Sequence, residues 1–428
     1  MQFKAYPSYN KCEDEVLDKL PNNWIIKPFW ALFEKSEITN QINHQLLSVY
    51  LDKGVILYSE GGGLVHKPAD SLEKYQLVNV NDFVMNNQQA WRGSIGVSPY
   101  RGLVSPAYLV FKIHEILNPN FVKYLVRDKY IIDKFMVSSL SVGTIQRQVK
   151  SHLLRKILIP IPLKEEQTKI AQYLDRETAK INALIAAQEK LINLLEEQRK
   201  STISHAVTKG LNPNAPMKDS GIEWLGEVPA HWEVKPIKSL YGRIKRTGYE
   251  QETLLSVYRE YGVIIKSSRT DNHNQESDDL SPYQLVNIGD LVINKMKAWQ
   301  GSLAISRYRG IVSPAYYIYK FISKFEVNDN FIHNQIRSEY FIQSYKNFSK
   351  GIRVGQWDLE NELFMRINLF VPPLNEQNEI VNFLDKENAR IEALKEKQKE
   401  LIEKLKEYRA SVISHAVTGK IDVRDMVH

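Results

Sequence analysis

The sequence predicts an α+β fold: two similar globules of mixed helix and strand, separated by two long helices that form an antiparallel coiled coil, with a pseudo-twofold internal repeat. Three observations predict it. At 428 residues the chain is too long for one ordinary core and suits two to four domains. A shift of 208 residues lays "YQLVNVNDFVMNNQQAWRGSIGVSPYRGLVSPAYLVFK" from Tyr75 onto "YQLVNIGDLVINKMKAWQGSLAISRYRGIVSPAYYIYK" from Tyr283, with 22 of 38 positions identical. Two stretches beginning near Ile170 and Ile380 place apolar residues at alternating steps of three and four, the seam of a coiled coil.

In chain order, the first globule covers 1–162. Its "DFVMN" and "AYLVFKI", like "AYYIYKF" in the second copy, are rich in β-branched and aromatic residues and bounded by Gly, Pro and Asn. That composition predicts strands joined by tight turns. "NFVKYLVRDKYIIDKFM" carries helical spacing instead. A long helix occupies 163–209, a linker and the second globule 210–373, the second long helix 374–418, and a tail 419–428. The repeat reaches further upstream, since "LLSVYLDKGVI" at Leu46 returns as "LLSVYREYGVI" at Leu254, and "LPNNWIIKP" at Leu20 as "VPAHWEVKP" at Val228.

The predicted seam of the second helix runs Gln377, Ile380, Leu384, Glu387, Ile391, Leu394, Gln398, Leu401, Leu405, Tyr408, Val412. Its counterpart, 210 residues earlier, runs Gln167, Ile170, Leu174, Ile181, Leu184, Gln188, Leu191, Leu195. Asn375 is placed to cap the second helix, Pro372 and Pro373 to stop the strand before it, and Gly210 and Gly419 to end the two helices. Each helix could pack on its own globule; two seams in one chain, each needing an apolar partner along its length, favour pairing. Gln188 and Gln398 are equivalent polar seam positions, assigned to fixing register. An antiparallel pair spares the second globule a return along the full helix length.

Composition narrows the function. Apolar residues make up 43% and charged residues 25%, the profile of a folded globular protein. No run approaches the ~20 apolar residues of a membrane span and the first residues lack a signal-peptide core, so a cytoplasmic location is expected. Cys12 is the only cysteine, which excludes an internal disulfide and a cysteine-based zinc cage, and the ten histidines have no ligand spacing. The net charge of +7 suits nucleic acid without requiring it.

Two similar globules on a stiff spacer suit a long ligand with its own dyad. Duplex DNA is one, with sites on one face about 34 Å apart. The differences between the copies then locate the reading surfaces. In "NNQQAWRGS" against "NKMKAWQGS" the frame residues Asn86/Asn294, Trp91/Trp299 and Gly93/Gly301 persist. Asn87, Gln88, Gln89 and Arg92 instead become Lys295, Met296, Lys297 and Gln300. Amide and basic side chains are the types that pair with base edges in the major groove. A second divergent loop sets "SEGGGLVHKPAD", with Lys67, against "SSRTDNHNQESD", with Arg269, Asn272 and Asn274. Arg101 and Arg309, which open the repeated phrase, and Arg243, Lys245 and Arg246 of "GRIKR" complete the candidate DNA contacts; basic residues of this kind grip phosphates without reading sequence. Neutral drift on a solvated loop accounts for any single one of these residues about as well.

Several motifs together resemble the specificity subunit of type I restriction-modification enzymes. They are "MKDSGIEWLGEVPAHWEVKPIK" from Met217, the paired "GLVSPAY" and "GIVSPAY", the helix-opening "ILIPIPLKEEQTKIAQYLDRETAKI" and "LFVPPLNEQNEIVNFLDKENARI", and the closing "SHAVTGKIDVR". The likeness spans nearly the whole chain, with the motifs in the same order in both halves. It implies two target-recognition domains that each read half of a bipartite DNA site, and an antiparallel helix pair that sets the unread spacer. It also implies docking of two modification subunits, which recruit restriction subunits. S-adenosylmethionine, ATP and Mg are then expected to serve those partners, with no cofactor in this chain. The amino-terminal "KCEDEVLDKLPNNW", which would meet the carboxyl-terminal "GKIDVRDMVH", departs from the pattern and keeps only Leu17, Pro21 and Trp24.

Catalytic chemistry of its own is not expected. The Gly cluster "EGGGL" lacks G-x-G-x-x-G spacing, "NPN" at Asn118 and Asn212 has no second proline to grip a flipped base, and no G-x-x-x-x-G-K-[ST] loop occurs. His205 and His415 recur in "ISHAVT", but near helix ends and without a carboxylate or nucleophile that travels with both. The rival from another class is a coiled-coil scaffold presenting two protein-binding domains; a steep salt dependence of DNA binding would distinguish the two.

Overall fold

The computed structural model describes residues 4–12, 17–51, 53–61, 67–142, 146–222, 225–269, 277–353 and 356–426. They form two compact units, one of 1–188 with 400–428 and one of 189–399. In the first unit a four-stranded antiparallel sheet has the order Phe33–Ser36, Tyr108–Ile113, Phe83–Asn86, Ile95–Val97. In the second, Tyr241–Ile244, Tyr316–Phe321, Leu291–Asn294 and Leu303–Ile305 repeat it. The registers repeat as well: Val110 sits between Ser36 and Val84, and Ile318 between Ile244 and Val292.

Each strand divides its side chains between two cores, as a period of two requires. Phe83, Met85 and Phe111 enter a large core with Phe29, Phe33, Phe121 and Phe135, where Phe29 and Phe33 stack at 4.5 Å. Val84 and Val110 face the other way, onto a β-branched layer with Val49, Val55, Val78 and Val104. The second unit builds the same two layers, with Trp232, Tyr241, Tyr319 and Tyr345 in the larger core and Val257, Val263, Val286 and Val312 in the smaller. The predicted helix "NFVKYLVRDKYIIDKFM" is two helices, Pro119–Leu125 and Lys129–Val137. The break falls at Asp128, whose carboxylate caps the second by accepting from the Tyr130 amide.

The twice-written phrase is part of this frame. A Cβ built on Gly102 would lie 2.5 Å from the Gln45 carbonyl oxygen, and one on Gly310 2.2 Å from that of Thr253. Only glycine lets the neighbouring backbone pass so close. Gln76 and Gln284, buried beside the phrase, donate to the carbonyls of Tyr108 and Tyr316 and hold it against the sheet.

The long helices run Lys164–Lys209 and Leu374–Val417, about 69 and 66 Å at 1.5 Å per residue. Asn375 therefore lies inside the first turn rather than capping it. Gly210 and Gly419 take the left-handed conformation just past the helix ends. The pairing is antiparallel in each unit. Arg409 donates to Asn182 at 2.5 Å in the first, while Arg199 meets Glu392 at 3.5 Å and Lys395 meets Glu196 in the second. Gln167 and Gln377, which open the predicted seam, are fully buried but tied to their own globules: Gln167 binds the Asn118 amide and the Ile116 and Pro162 carbonyls, and Gln377 the Asn328 amide and the Pro372 carbonyl.

Past Ile181 and Ile391 the seam keeps some expected positions, with Leu195 and Val412 7% and 1% exposed, and departs from others. Ile185 and Ile402 are 9% and 7% exposed, whereas Leu184, Leu191, Leu401 and Tyr408 are 50%, 39%, 40% and 45% exposed. Two successive steps of four, 177–181–185 and 387–391–395, slip the alternate seam positions by one residue, so that Ile185 and Ile402 take the places expected of Leu184 and Leu401. Such an inserted step locally unwinds a coiled coil, and here it moves Leu184, Leu191 and Leu401 to the surface.

The divergent amino terminus nevertheless keeps the repeated architecture. Tyr9–Lys11 pairs with Lys19–Pro21 just as Met217–Asp219 pairs with Glu227–Pro229. It also meets the carboxyl-terminal segment within the first unit. The Asp422 amide donates to the Lys4 carbonyl at 2.8 Å, Arg424 lies over the Tyr6 ring at 5.1 Å, and Lys4 pairs with Asp425 at 3.2 Å.

Candidate nucleic-acid interface

The divergent loop 86–93 is a tight turn whose repeated residues are its fasteners. The Asn86 side chain accepts from the Gln88 amide at 3.1 Å, the Trp91 indole donates to the Gln88 carbonyl at 3.1 Å, and Ala90 is fully buried. Gly93 closes the turn at φ +96°, a left-handed conformation that favours glycine. Asn294, Ala298 and Gly301, the last at φ +90°, do the same in the second unit. With the backbone fastened, the side chains that differ are free to face outward: Gln88, Gln89 and Arg92 are exposed in the first unit and Lys297 in the second, while Asn87, Lys295 and Gln300 are half-buried.

Three of the predicted residues come together. Lys67, Gln88 and Gln89 line one cavity of about 240 Å³ with Tyr58, Tyr75 and Tyr108, which places the two divergent loops of the first unit on a common surface. In the second unit Arg243 lies over the Tyr317 ring at 4.1 Å and Lys295 over the same ring at 5.6 Å, with Lys295 also paired to Asp358 at 3.3 Å. Arg269 lies over Tyr258 and Tyr261 at 5.2 and 4.8 Å. Asn272 and Asn274 lie outside the described residues. Lys245 and Arg101 are exposed, the Arg101 carbonyl accepting from Gln45.

The remaining candidates hold the frame or face elsewhere. Arg246 donates to the buried Asp290 at 2.6 Å, and Arg309 bridges Glu252 and Asn287 at 2.8 and 2.9 Å. Gln300 lines a cleft of about 990 Å³ against the first long helix, together with Arg199, Lys200 and Arg337. Burial, with the nearby Arg199 charge, brings Arg337 down to about 10; its guanidinium donates to the carbonyls of Leu303, Arg259 and Glu260. Gln188 and Gln398 are half-buried. No group of three or more potential metal ligands occurs among the described residues. His415 sits at its helix end, where its carbonyl accepts from the Lys420 amide, and His205 lines a shallow cavity with Phe383.

One element of this surface has no counterpart among the predicted contacts. A hairpin of Ser139–Val142 and Gln146–Val149 bonds to the first turn through the Val149 amide and Asn87 carbonyl at 3.3 Å. Its equivalent, Ser349–Arg353 with Gln356–Leu359, bonds to the second turn from Trp357 to Met296 at 3.4 Å and from Leu359 to Lys295 at 3.1 Å. The signal was present in the sequence: here too the frame recurs while the side chains do not, as "QRQV" against "QWDL" shows.

The family model of the type I restriction modification DNA specificity domain matches residues 49–194 and again 229–404. The MjaVIII type I restriction enzyme specificity subunit of Methanocaldococcus jannaschii is 27% identical over 393 residues, covering 85% of this chain and 84% of that one. The StySPI specificity subunit of Salmonella potsdam is 20% identical over 438 residues, 94% and 90% of the two chains. Among solved structures, the HsdS subunit from Thermoanaerobacter tengcongensis shares the fold with a TM-score of 0.52 at 16% identity, covering 94% of this chain and 98% of its own. A chain from a type I restriction-modification assembly does so with a TM-score of 0.55 at 17% identity, covering 94% and 100%. With two matched domains that take in most of its length, the chain belongs to the type I restriction-modification DNA specificity family.

Proposed function

We propose that this chain is the non-catalytic DNA-reading subunit of a type I restriction-modification complex, each unit reading one half of a bipartite, asymmetric site. The observation that carries the reading is the pair of fastened turns: Asn86/Asn294, Ala90/Ala298 and Gly93/Gly301 hold one backbone, while the exposed Gln88, Gln89 and Arg92 of the first give way to half-buried Met296, exposed Lys297 and half-buried Gln300 in the second. One scaffold that carries amide side chains in one turn and the basic Lys297 in the other is what a site with unlike halves requires. Exchanging residues 59–72 and 86–92 for their second-half counterparts is expected to give a site with two like halves in genome-wide mapping of methylated adenine. Retention of the original site would refute the loop assignment.

The helix pair sets the unread spacer in this reading. Inserting four residues, about 6 Å of helix, is expected to lengthen the spacer by about one or two base pairs and leave both half-sites unchanged; an unchanged spacer in the same mapping would exclude the role. The two modification subunits dock on the helices. The exposed Leu184, Leu191 and Leu194, spaced seven and three residues apart on one helix face, and Leu401 and Tyr408 on the other helix support this, since apolar positions on a polar helix favour a partner. Restriction subunits join through them, and S-adenosylmethionine, ATP and Mg serve those partners.

A further inference from the structure

The hairpin that joins each reading turn carries its own difference between the copies. Arg147 and Trp357 are equivalent, 210 residues apart, and both lie on the repeated tryptophan. In the first unit the Trp91 ring has two guanidiniums beside it, Arg147 at 5.9 Å and Arg92 at 5.6 Å. In the second, Trp357 stacks on Trp299 at 5.3 Å with 26° between the planes.

These two junctions also concentrate unmet hydrogen bonds. Nine buried side-chain atoms lack a partner among the described residues, and four of them sit here: Asn87 Oδ1 and Arg147 Nε in the first unit, Trp299 Nε1 and Asp358 Oδ1 in the second. Folded proteins pair nearly all such atoms, with protein groups or ordered water, so their recurrence at one place in both copies marks two equivalent polar junctions beside the reading turns. The aromatic face holds an arginine fork in place while leaving its donors unspent. A guanine offers the matching pair of acceptors, O6 and N7, to such a fork.

We infer that the hairpin position occupied by Arg147 and Trp357 determines specificity in each half-site: Arg147 reads a guanine in the first, and Trp357 removes that preference from the second, leaving the Lys295–Asp358 pair beside it. The inference rests on the proposed reading that these turns face DNA. The hairpin thereby joins the two divergent loops as a reading element.

The test is methylated-adenine mapping with the assembled complex carrying Arg147→Lys, Arg147→Ala or Trp357→Arg. Arg147→Lys keeps the charge and loses the fork. It is expected to relax preference at one guanine-containing pair of the first half-site by between about fivefold and a hundredfold, with the second half-site unchanged. Trp357→Arg is expected to bring guanine preference to the equivalent position of the second half-site, which keeps the idea testable if the Arg147 variants fold poorly. Binding weakened equally on all sequences, or preserved base preference in all three variants, would overturn the inference. If exchange of the 59–72 and 86–92 loops still altered the site, the proposed function would stand without it; if the wild-type complex showed no sequence-dependent methylation, that function would itself fall.

Discussion

Glu166→Ala is expected to destabilise the first unit by about 3 to 5 kcal/mol, the cost of leaving several buried donors without their charged acceptor. Glu166 opens the first long helix and is 4% exposed. Its carboxylate accepts from the Tyr6 hydroxyl at 2.6 Å, the Trp24 indole at 2.9 Å and the Asn23 amide at 2.6 Å. The one side chain thus joins the amino-terminal segment, the following strand region and the helix. Burial, and then the bond to Glu166, push the Tyr6 hydroxyl far above its usual range, so it remains a donor at any working pH. Glu376 is the same device in the second unit, accepting from Trp232 at 3.0 Å and His231 at 2.7 Å, but its side chain is 21% exposed. With water able to replace part of what is lost, Glu376→Ala is expected to cost about 1 to 2 kcal/mol. Urea unfolding of the two variants, with hydrogen exchange across residues 4–24, would show the difference. Equal midpoints for wild type and Glu166→Ala would show that the clamp contributes nothing.

The clamp also shows why some of this molecule was legible in its sequence and some was not. The repeat at 208 and then 210 residues fixed the order of globule and helix, because one architecture written twice leaves matching frame residues such as Trp24/Trp232 and Gly102/Gly310. The amino-terminal hairpin was obscured: a two-stranded ribbon needs few particular side chains, and it forms here although only Leu17, Pro21 and Trp24 match the second copy. The seam could not be settled by spacing, since the expected Leu184 and Leu191 stand beside Ile185 and Ile192, which are apolar too. Packing moved the alternate positions by one residue through an added step of four, leaving Leu195 and Val412 in place. Nor does a basic residue in a sequence disclose its partner. Arg246 reads as a free cation in "GRIKR", yet the Asp290 carboxylate that engages it lies 44 residues away in the chain.

Acidification is expected to weaken the second unit through the imidazole of His333, starting above the usual carboxylate range. This residue lies on the helix Asp329–Ile336, close to the turn at Gly262, and its first-half equivalent is Lys123, which faces Asp175 at 3.3 Å. Burial, with the nearby Arg337 and Arg307 charges, brings the His333 imidazole down to about 3 from its ordinary 6.5. The folded state therefore holds it neutral where the unfolded chain would bind a proton. The stability from this group is fully present above pH 6.5 and is lost as pH falls from there toward 3. Between pH 7 and pH 5 the loss is up to about 2 kcal/mol. Asp329 on the same helix is raised by burial and works in the opposite sense, gaining stability as pH falls. The informative quantity is therefore the difference between wild type and His333→Gln, whose amide has no such proton to bind. Thermal melting at pH 7, 6 and 5 is expected to converge for the two proteins as pH drops, the wild type losing more. Parallel curves would mean that His333 takes up its proton without cost in the folded state, and that Arg337 beside it tolerates a second charge.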